Sequence, residues 1–153
     1  MSNLYDIFIS YQWASKPLVE KIHEKLVVTE YDVWRDDEQL TGNDLNEQLI
    51  NGIQNSACIV CFITKKYSES ENCKREISYA SSLKKQMLIV MLENVSIKDL
   101  GSIGFIINPL TRFNFYKEED LKNLFISEYF KSFLNSIDLI IEEQDENDED
   151  DDE

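Results

Sequence analysis

Short apolar runs alternate with amphipathic stretches from the amino terminus onward. The first run, residues 5–11 (YDIFISY), is rich in β-branched and aromatic residues, which is typical of a buried strand. The next segment contains Ser15 and then Pro17, a combination that often begins a helix. Apolar residues then recur along one face of this helix at helical spacing: Leu18, Val19, Ile22 and Leu26. The chain therefore opens with a strand and a helix.

The same alternation continues along the chain. Further strands are predicted at residues 31–35, 57–63, 87–92 and 112–116. Helices are predicted from Asp44, around Cys73, and from Glu118 to about Ile141, with irregular structure and a short helical turn at residues 93–109. Runs 57–63 and 87–92 lack polar positions, as expected of strands covered on both faces. This order predicts an α/β fold with a flavodoxin-like, doubly wound parallel sheet of about five strands and helices on both faces.

The charge of the chain is concentrated at its carboxyl end. The 153 residues carry a formal net charge of −15, and ten of the 30 acidic residues lie in residues 142–153 (EEQDENDEDDDE). The remaining 141 residues hold 20 acidic and 15 basic residues, a net charge of −5. A block of like charges cannot collapse on itself. We therefore predict one folded domain, residues 1–141, and a disordered acidic tail, residues 142–153.

Composition excludes several classes of function. The acidic excess argues against nucleic-acid partners and against docking on an anionic membrane. The chain has no run of 18 apolar residues and no signal-peptide pattern at its start, so we expect a cytoplasmic protein. Its one histidine, His23, weakens any proposal of a catalytic triad or a zinc site, and we predict no bound metal.

Doubly wound folds bind ligands beyond the carboxyl ends of their strands, here in the loops after Tyr11, Arg35, Ile63 and Leu92. None of these loops is a glycine-rich phosphate loop, and the chain has four glycines in all. A conventional dinucleotide or nucleoside-triphosphate site is therefore not expected. A phospho-receiver of the same fold class is excluded as well, because its acidic pair and lysine are not where that chemistry needs them.

Three motifs resemble those of Toll/interleukin-1 receptor (TIR) domains. YDIFISY resembles the opening box of the family, and VWRDDEQLTGNDL resembles its second strand and the following BB loop. SESENCKREISYA resembles the third-helix motif, in which a Cys precedes a Glu by three positions. The motifs occur in the family's order, and the resemblance covers residues 3–133. It implies that residues 1–141 form a TIR domain.

The resemblance implies one of two functions. Some TIR domains are non-catalytic adaptors that bind other TIR domains and transmit innate immune signals. Others cleave NAD⁺ to nicotinamide and ADP-ribose or a cyclic product, with the third-helix Glu as catalytic residue, here Glu76. We favour a stand-alone NAD⁺ glycohydrolase. NAD⁺ is then a substrate, and no cofactor is expected.

The resemblance also suggests which other residues contribute. Candidate pocket residues are Ser10, Tyr11, Trp13, Trp34, Glu38, Leu45 and Cys73. In enzymatic members the BB loop packs on a neighbouring protomer and completes its site, which implies a homo-oligomer or filament. The corresponding interaction residues here are Asp36, Asp37, Gln39, Leu40, Thr41, Gly42, Asn43 and Asp44.

A single carboxylate suffices for this chemistry. Cleavage of an N-glycosidic bond passes through an oxocarbenium-like state, as hydrolysis of an O-glycoside does. Nicotinamide leaves its pyridinium form as a neutral molecule, so no acid needs to protonate it. One carboxylate beside the ribose can bind its hydroxyls and stabilise the developing positive charge.

Several candidates have simpler interpretations. Trp34 can be a packing residue, whereas Trp13 follows the strand and can stack on a base or nicotinamide ring. Cys58 and Cys61 lie three apart in a strand, so they point to opposite faces, and we interpret them as buried structural residues. Enzymatic members often have Arg after the first-strand Ser-aromatic pair. Gln12 and Trp13 stand there instead, which leaves the diphosphate without that cation.

Overall fold

A five-stranded parallel sheet forms the centre of the protein. The computed structural model describes residues 3–34 and 45–151, and within them the strands follow the order β2-β1-β3-β4-β5. Their bounds are β1 (Tyr5–Ser10), β2 (Val33–Trp34), β3 (Ser56–Ile63), β4 (Gln86–Met91) and β5 (Arg112–Asn114). The predicted doubly wound sheet is confirmed, including a short last strand.

Seven α-helices connect and flank the strands in the described ranges. They are α1 (Lys16–Val28), α2 (Leu45–Gln54), α3 (Lys65–Glu69), α4 (Glu71–Ser82), α5 (Ile103–Ile107), α6 (Leu121–Ile126) and α7 (Glu128–Asp151). The single helix predicted from Glu118 is instead two, because Ser127 is extended and its Oγ accepts a hydrogen bond from the backbone N–H of Phe130 at 3.2 Å. Ser127 thus caps α7.

Both faces of the sheet are buried against helices. Ile7, Ile9 and Val60 face a cluster that includes residues of α1, α6 and α7. Phe8 and Ile59 face a second cluster with residues of α2, α4 and α5. Neighbouring residues of one strand enter opposite clusters because side chains alternate across a sheet. The unbroken apolar runs of the central strands therefore follow from two-sided burial.

The last helix does not end near Ile141, as the sequence pattern predicted, but continues into the acidic segment. The structure continues α7 to Asp151, so residues 142–151 are helical where we expected disorder. Nucleating a helix fixes several residues for one hydrogen bond, whereas extending an existing helix fixes only one residue for each hydrogen bond gained. Continuation of α7 is therefore favoured over a new helix or a free segment. Asn3 Nδ2 also donates to Gln144 Oε1 at 3.1 Å. The acidic segment therefore starts beside the amino ends of the strands, at the opposite edge from the loops expected to bind ligands.

Gly52 allows a close approach between α2 and the sheet. The ring of Trp34 stacks on that of Phe8, with centroids 4.7 Å apart. A Cβ at Gly52 would lie 2.8 Å from two ring atoms of Trp34 and 3.1 Å from Phe8. Real Cβ atoms do not approach ring carbons this closely, so the helix could not keep its position.

Gly52→Ala is expected to destabilise the protein by about 1–3 kcal/mol, since overpacking outweighs the gain of roughly 1 kcal/mol that Ala brings to a helix interior. Asn51→Ala is the matched control, because Asn51 is exposed at the preceding position of the same helix. Urea unfolding would measure both variants. Equal stability of the two would show that α2 can shift away from Trp34 at no cost.

Candidate functional site

Glu76 lies on the inner side of α4, which is firmly anchored. Ser70 caps this helix, and its Oγ accepts a hydrogen bond from the backbone N–H of Cys73 at 3.3 Å. Cys73, Ile77 and Ala80 form the buried face of the helix. Glu76 follows Cys73 by nearly one turn, so its half-buried side chain borders this face and lines two neighbouring cavities.

The small cavity lies beyond the carboxyl end of β1 and has a volume of about 100 Å³. Its walls come from the segment after β1, the start of α2 and the first turns of α4: Tyr11, Gln12, Trp13, Asn46, Leu49, Ser70, Asn72, Cys73 and Glu76. A crevice at the carboxyl ends of the strands is where doubly wound folds bind ligands. The small cavity therefore lies where the fold class predicts a ligand site.

The large cavity runs between α2 and α4 and has a volume of about 400 Å³. Its apolar lining residues come from α2: Leu49, Ile50 and Ile53. Its polar lining residues are Asn46 of α2 and, from α4, Asn72, Arg75, Glu76, Ser78 and Tyr79. Asn46, Leu49, Asn72 and Glu76 belong to both cavities. Glu76 therefore lies at the junction of a small and a large cavity.

Buried contacts fix the end of β1 against α3 and α4. The hydroxyls of Ser10 and Tyr67 are 2.8 Å apart, and both residues are fully buried. The thiol of Cys73 donates to the carbonyl oxygen of Tyr11 at 3.5 Å. Ser10 is absent from the lining of both cavities and anchors the end of β1 to α3, whereas Cys73 lines the small cavity and links α4 to Tyr11.

Comparison with known proteins assigns the chain to a family. A sequence model described as the TIR domain matches residues 7–125. The chain belongs to the TIR domain family. It is thus a TIR-domain protein of signal transduction, and TIR domains interact with other TIR domains. No curated protein matches its sequence significantly.

Solved structures support the same fold at low sequence identity. The TIR domain of the Toll-related receptor TRR-2 from Hydra magnipapillata superposes with a TM-score of 0.68 at 15% identity, covering 87% of this chain and 98% of that one. A metazoan TIR-STING receptor from C. gigas gives 0.60 at 21% identity, over 72% of this chain and 37% of that one. The TIR domains of the activated Roq1 resistosome recognising the effector XopQ give 0.55 at 17% identity, covering 92% and 84%. The predicted fold class is confirmed.

The two tryptophans of this TIR domain occupy different environments. Trp13 is 60% exposed and lines the small cavity, with Lys16 Nζ lying 4.5 Å from the centroid of its ring. Trp34 stacks on Phe8 and lies outside the lining of both cavities. Trp34 is therefore best interpreted as a packing residue. Of the two tryptophans, only Trp13 is placed to stack on a ligand in either cavity.

The three cysteines of this TIR domain are buried and have protonated thiols near neutral pH. Cys58 and Cys61 enter opposite clusters, as their spacing predicts, and burial raises the pKa of each thiol to about 12. Burial also raises the pKa of Cys73 to about 11, with the charge of Glu76 adding to the effect. A nucleophilic role for these thiols is disfavoured, because the thiolate is the reactive form.

Some predicted residues lie outside the described structure. The BB-loop residues 36–44, with Glu38 among them, fall in the undescribed range 35–44, and Leu45 begins α2 without a described side chain. Elsewhere, no group of three His, Cys, Asp or Glu residues could hold a metal ion. No helix in the described ranges is long and apolar enough to cross a membrane.

The structure adds residues that the sequence analysis did not single out. Asn72 and Tyr79 flank Glu76 at the i−4 and i+3 positions of α4, and Arg75 directly precedes it. Helical spacing around Glu76 could have identified Asn72 and Tyr79, since residues three and four apart share a face. Asn46 and Leu49 come from α2, and only tertiary packing brings them to Glu76.

Proposed function

We propose that this TIR domain cleaves NAD⁺ to nicotinamide and ADP-ribose or cyclic ADP-ribose, acts in cytoplasmic defence signalling, and is activated by self-association. The observation that carries the proposal is the place of Glu76 at the junction of the two cavities. One carboxylate there can reach a ribose whose two substituents extend to either side. The resemblance implies that the family includes enzymes of this kind, and the segment with Cys73 and Glu76 resembles their third-helix motif.

The proposed reaction needs few groups. The bond between ribose C1′ and the nicotinamide nitrogen breaks, and nicotinamide leaves with the electron pair as a neutral molecule. Glu76 accepts hydrogen bonds from the ribose hydroxyls and stabilises the positive charge at C1′. Water then forms the new C–O bond and loses its proton to solvent, giving ADP-ribose. Attack by an adenine ring nitrogen at the same carbon would give the cyclic product.

Self-association is proposed because the resemblance implies that the BB loop of a neighbouring protomer completes the site. Among the described residues, the walls of the two cavities come from α2, α4 and the segment after β1. Packing of residues 36–44 from a neighbouring protomer would exclude water and strengthen electrostatic stabilisation. The competing function is that of a non-catalytic adaptor, in which the same residues form a docking surface and Glu76 has no substrate.

The proposal is tested by incubating concentrated protein with NAD⁺, with and without a crowding agent, and measuring nicotinamide release. Activity should rise more steeply than linearly with protein concentration, because the competent species is an oligomer. Sedimentation of the same samples shows whether oligomers are present. Oligomers without nicotinamide release would refute the enzyme and favour the adaptor.

Deletion of residues 142–153 is expected to promote self-association and, with it, NAD⁺ cleavage, because the segment carries ten negative charges in each protomer. The effect should be largest at low salt, where repulsion is least screened. A full-length variant with these acidic residues changed to Asn and Gln is the control for the lost helix length. Sedimentation profiles that are identical for all three proteins would show that the charge does not govern association.

A further inference from the structure

The only cationic side chain in the lining of the two cavities, as far as the structure describes them, is that of Arg75. It lines the large cavity and is absent from the lining of the small one. Within the described residues its guanidinium forms no hydrogen bond or ion pair. The pKa of Glu71 is lowered chiefly by its hydrogen bond with Lys74, and the charge of Arg75 makes only a smaller contribution. Arg75 is therefore available to bind an anion in the large cavity.

The large cavity differs chemically from the small one. Leu49, Ile50 and Ile53 line it with apolar side chains from α2, and Tyr79 lines it from α4. The phenol oxygen of Tyr79 accepts a hydrogen bond from Gln54 Nε2 at 2.8 Å, which holds the aromatic ring between α2 and α4. An apolar lining with a fixed aromatic ring suits a flat heterocycle, and a guanidinium in the same lining suits a diphosphate.

We propose that the large cavity is the subsite for the ADP half of NAD⁺, with Arg75 binding the diphosphate and Tyr79 contacting the adenine. This inference rests on the proposed function, and it fixes the direction of the substrate. The scissile bond lies at Glu76, the smaller nicotinamide enters the small cavity beside Trp13, and the larger ADP half extends along α4. Arg75 thereby replaces the cation that is missing after Ser10 and Tyr11.

The charge balance supports this direction. The nicotinamide ring is cationic before cleavage, and Glu76 is the one charged residue among the described wall residues of the small cavity. Lys16, whose Nζ lies 4.5 Å from the ring centroid of Trp13, is outside that lining. The diphosphate is anionic and would meet Glu76 as a repulsive neighbour unless a cation lies close by. Arg75 is adjacent to Glu76 in sequence and lines the large cavity only, so it can offset that repulsion on the ADP side.

The test compares Arg75→Gln and Arg75→Lys with wild type, by calorimetric titration with ADP-ribose and by steady-state cleavage of NAD⁺ and nicotinamide riboside. Arg75→Gln should raise the Kd for ADP-ribose about ten- to a hundredfold, the usual worth of hydrogen bonds to a charged group. Arg75→Lys should recover part of this affinity, because it keeps the charge and loses the bidentate geometry. The preference for NAD⁺ over nicotinamide riboside should fall by a similar factor, through KM more than kcat.

Lys74→Gln is the matched control, since it removes the same charge from the neighbouring position of α4. Lys74 pairs with Glu71 at 2.7 Å and lies outside both linings. Equal ADP-ribose affinities of wild type and Arg75→Gln, or an equal loss in Lys74→Gln, would overturn the subsite and leave the proposed function standing. Arg75-dependent binding of ADP-ribose by a protein that never releases nicotinamide would support the subsite and refute the glycohydrolase.

Discussion

Replacing Glu76 with Gln is expected to lower nicotinamide release from NAD⁺ by about a hundred- to a thousandfold, the usual cost of removing one group that stabilises charge in a transition state. The amide keeps the shape of the side chain and can still bind the ribose hydroxyls. It carries no negative charge to balance the oxocarbenium ion. The loss should therefore fall on kcat far more than on KM.

The charge is the variable to isolate in this experiment. Glu24→Gln is a suitable control, because Glu24 is a solvated residue of α1 whose side chain is 67% exposed. It should retain full activity. Circular dichroism and sedimentation at assay concentration would check that Glu76→Gln still folds and associates. Nicotinamide release at the wild-type rate by an associated Glu76→Gln protein would exclude Glu76 as the catalytic carboxylate.

Phe133→Ala is expected to destabilise the protein by about 3–5 kcal/mol, the usual cost of truncating a fully buried Phe. Phe133 is wholly inaccessible and joins α7 to the sheet. Its ring meets those of Phe113 and Phe115 edge to face, at centroid distances of 5.6 and 5.4 Å. Such aromatic contacts add to the free energy gained by burying the ring, and truncation to Ala removes both contributions.

Urea unfolding would test this prediction through a lower midpoint at an unchanged m-value. The midpoint of thermal unfolding, Tm, should fall by roughly 10 °C for a domain of this size. Phe105→Ala is the matched control, because Phe105 is 89% exposed and its truncation should cost less than about 0.5 kcal/mol. Comparable losses for both variants would mean that Phe105 is buried in solution, for example between protomers.

The central strands could be predicted because their sequence pattern is local and unambiguous. Residues 57–63 are apolar without interruption, and β3 spans Ser56–Ile63 with every residue buried. The break at Ser127 was not predictable in the same way. Residues on both sides of it continue one apolar helical pattern, and the side chain of Ser127 decides which backbone conformation is adopted.

The acidic segment shows how context overrides composition. Ten acidic residues in twelve predict disorder when the segment is considered alone. Attached to a helix that is already docked through Phe130 and Phe133, residues 142–151 continue it as helix. The structure also places the start of this segment beside Asn3, which composition could not indicate.

The sequence by itself determined the fold class, the TIR motifs and the candidate carboxylate Glu76, because strand periodicity and motif order are properties of neighbouring residues. Only the tertiary structure decided what surrounds Glu76. Packing of α2 against α4 brings Asn46 and Leu49 to it, divides the space into two cavities, and leaves Trp34 outside both. These relations join residues far apart in the chain, and they arise only when the helices close over one face of the sheet.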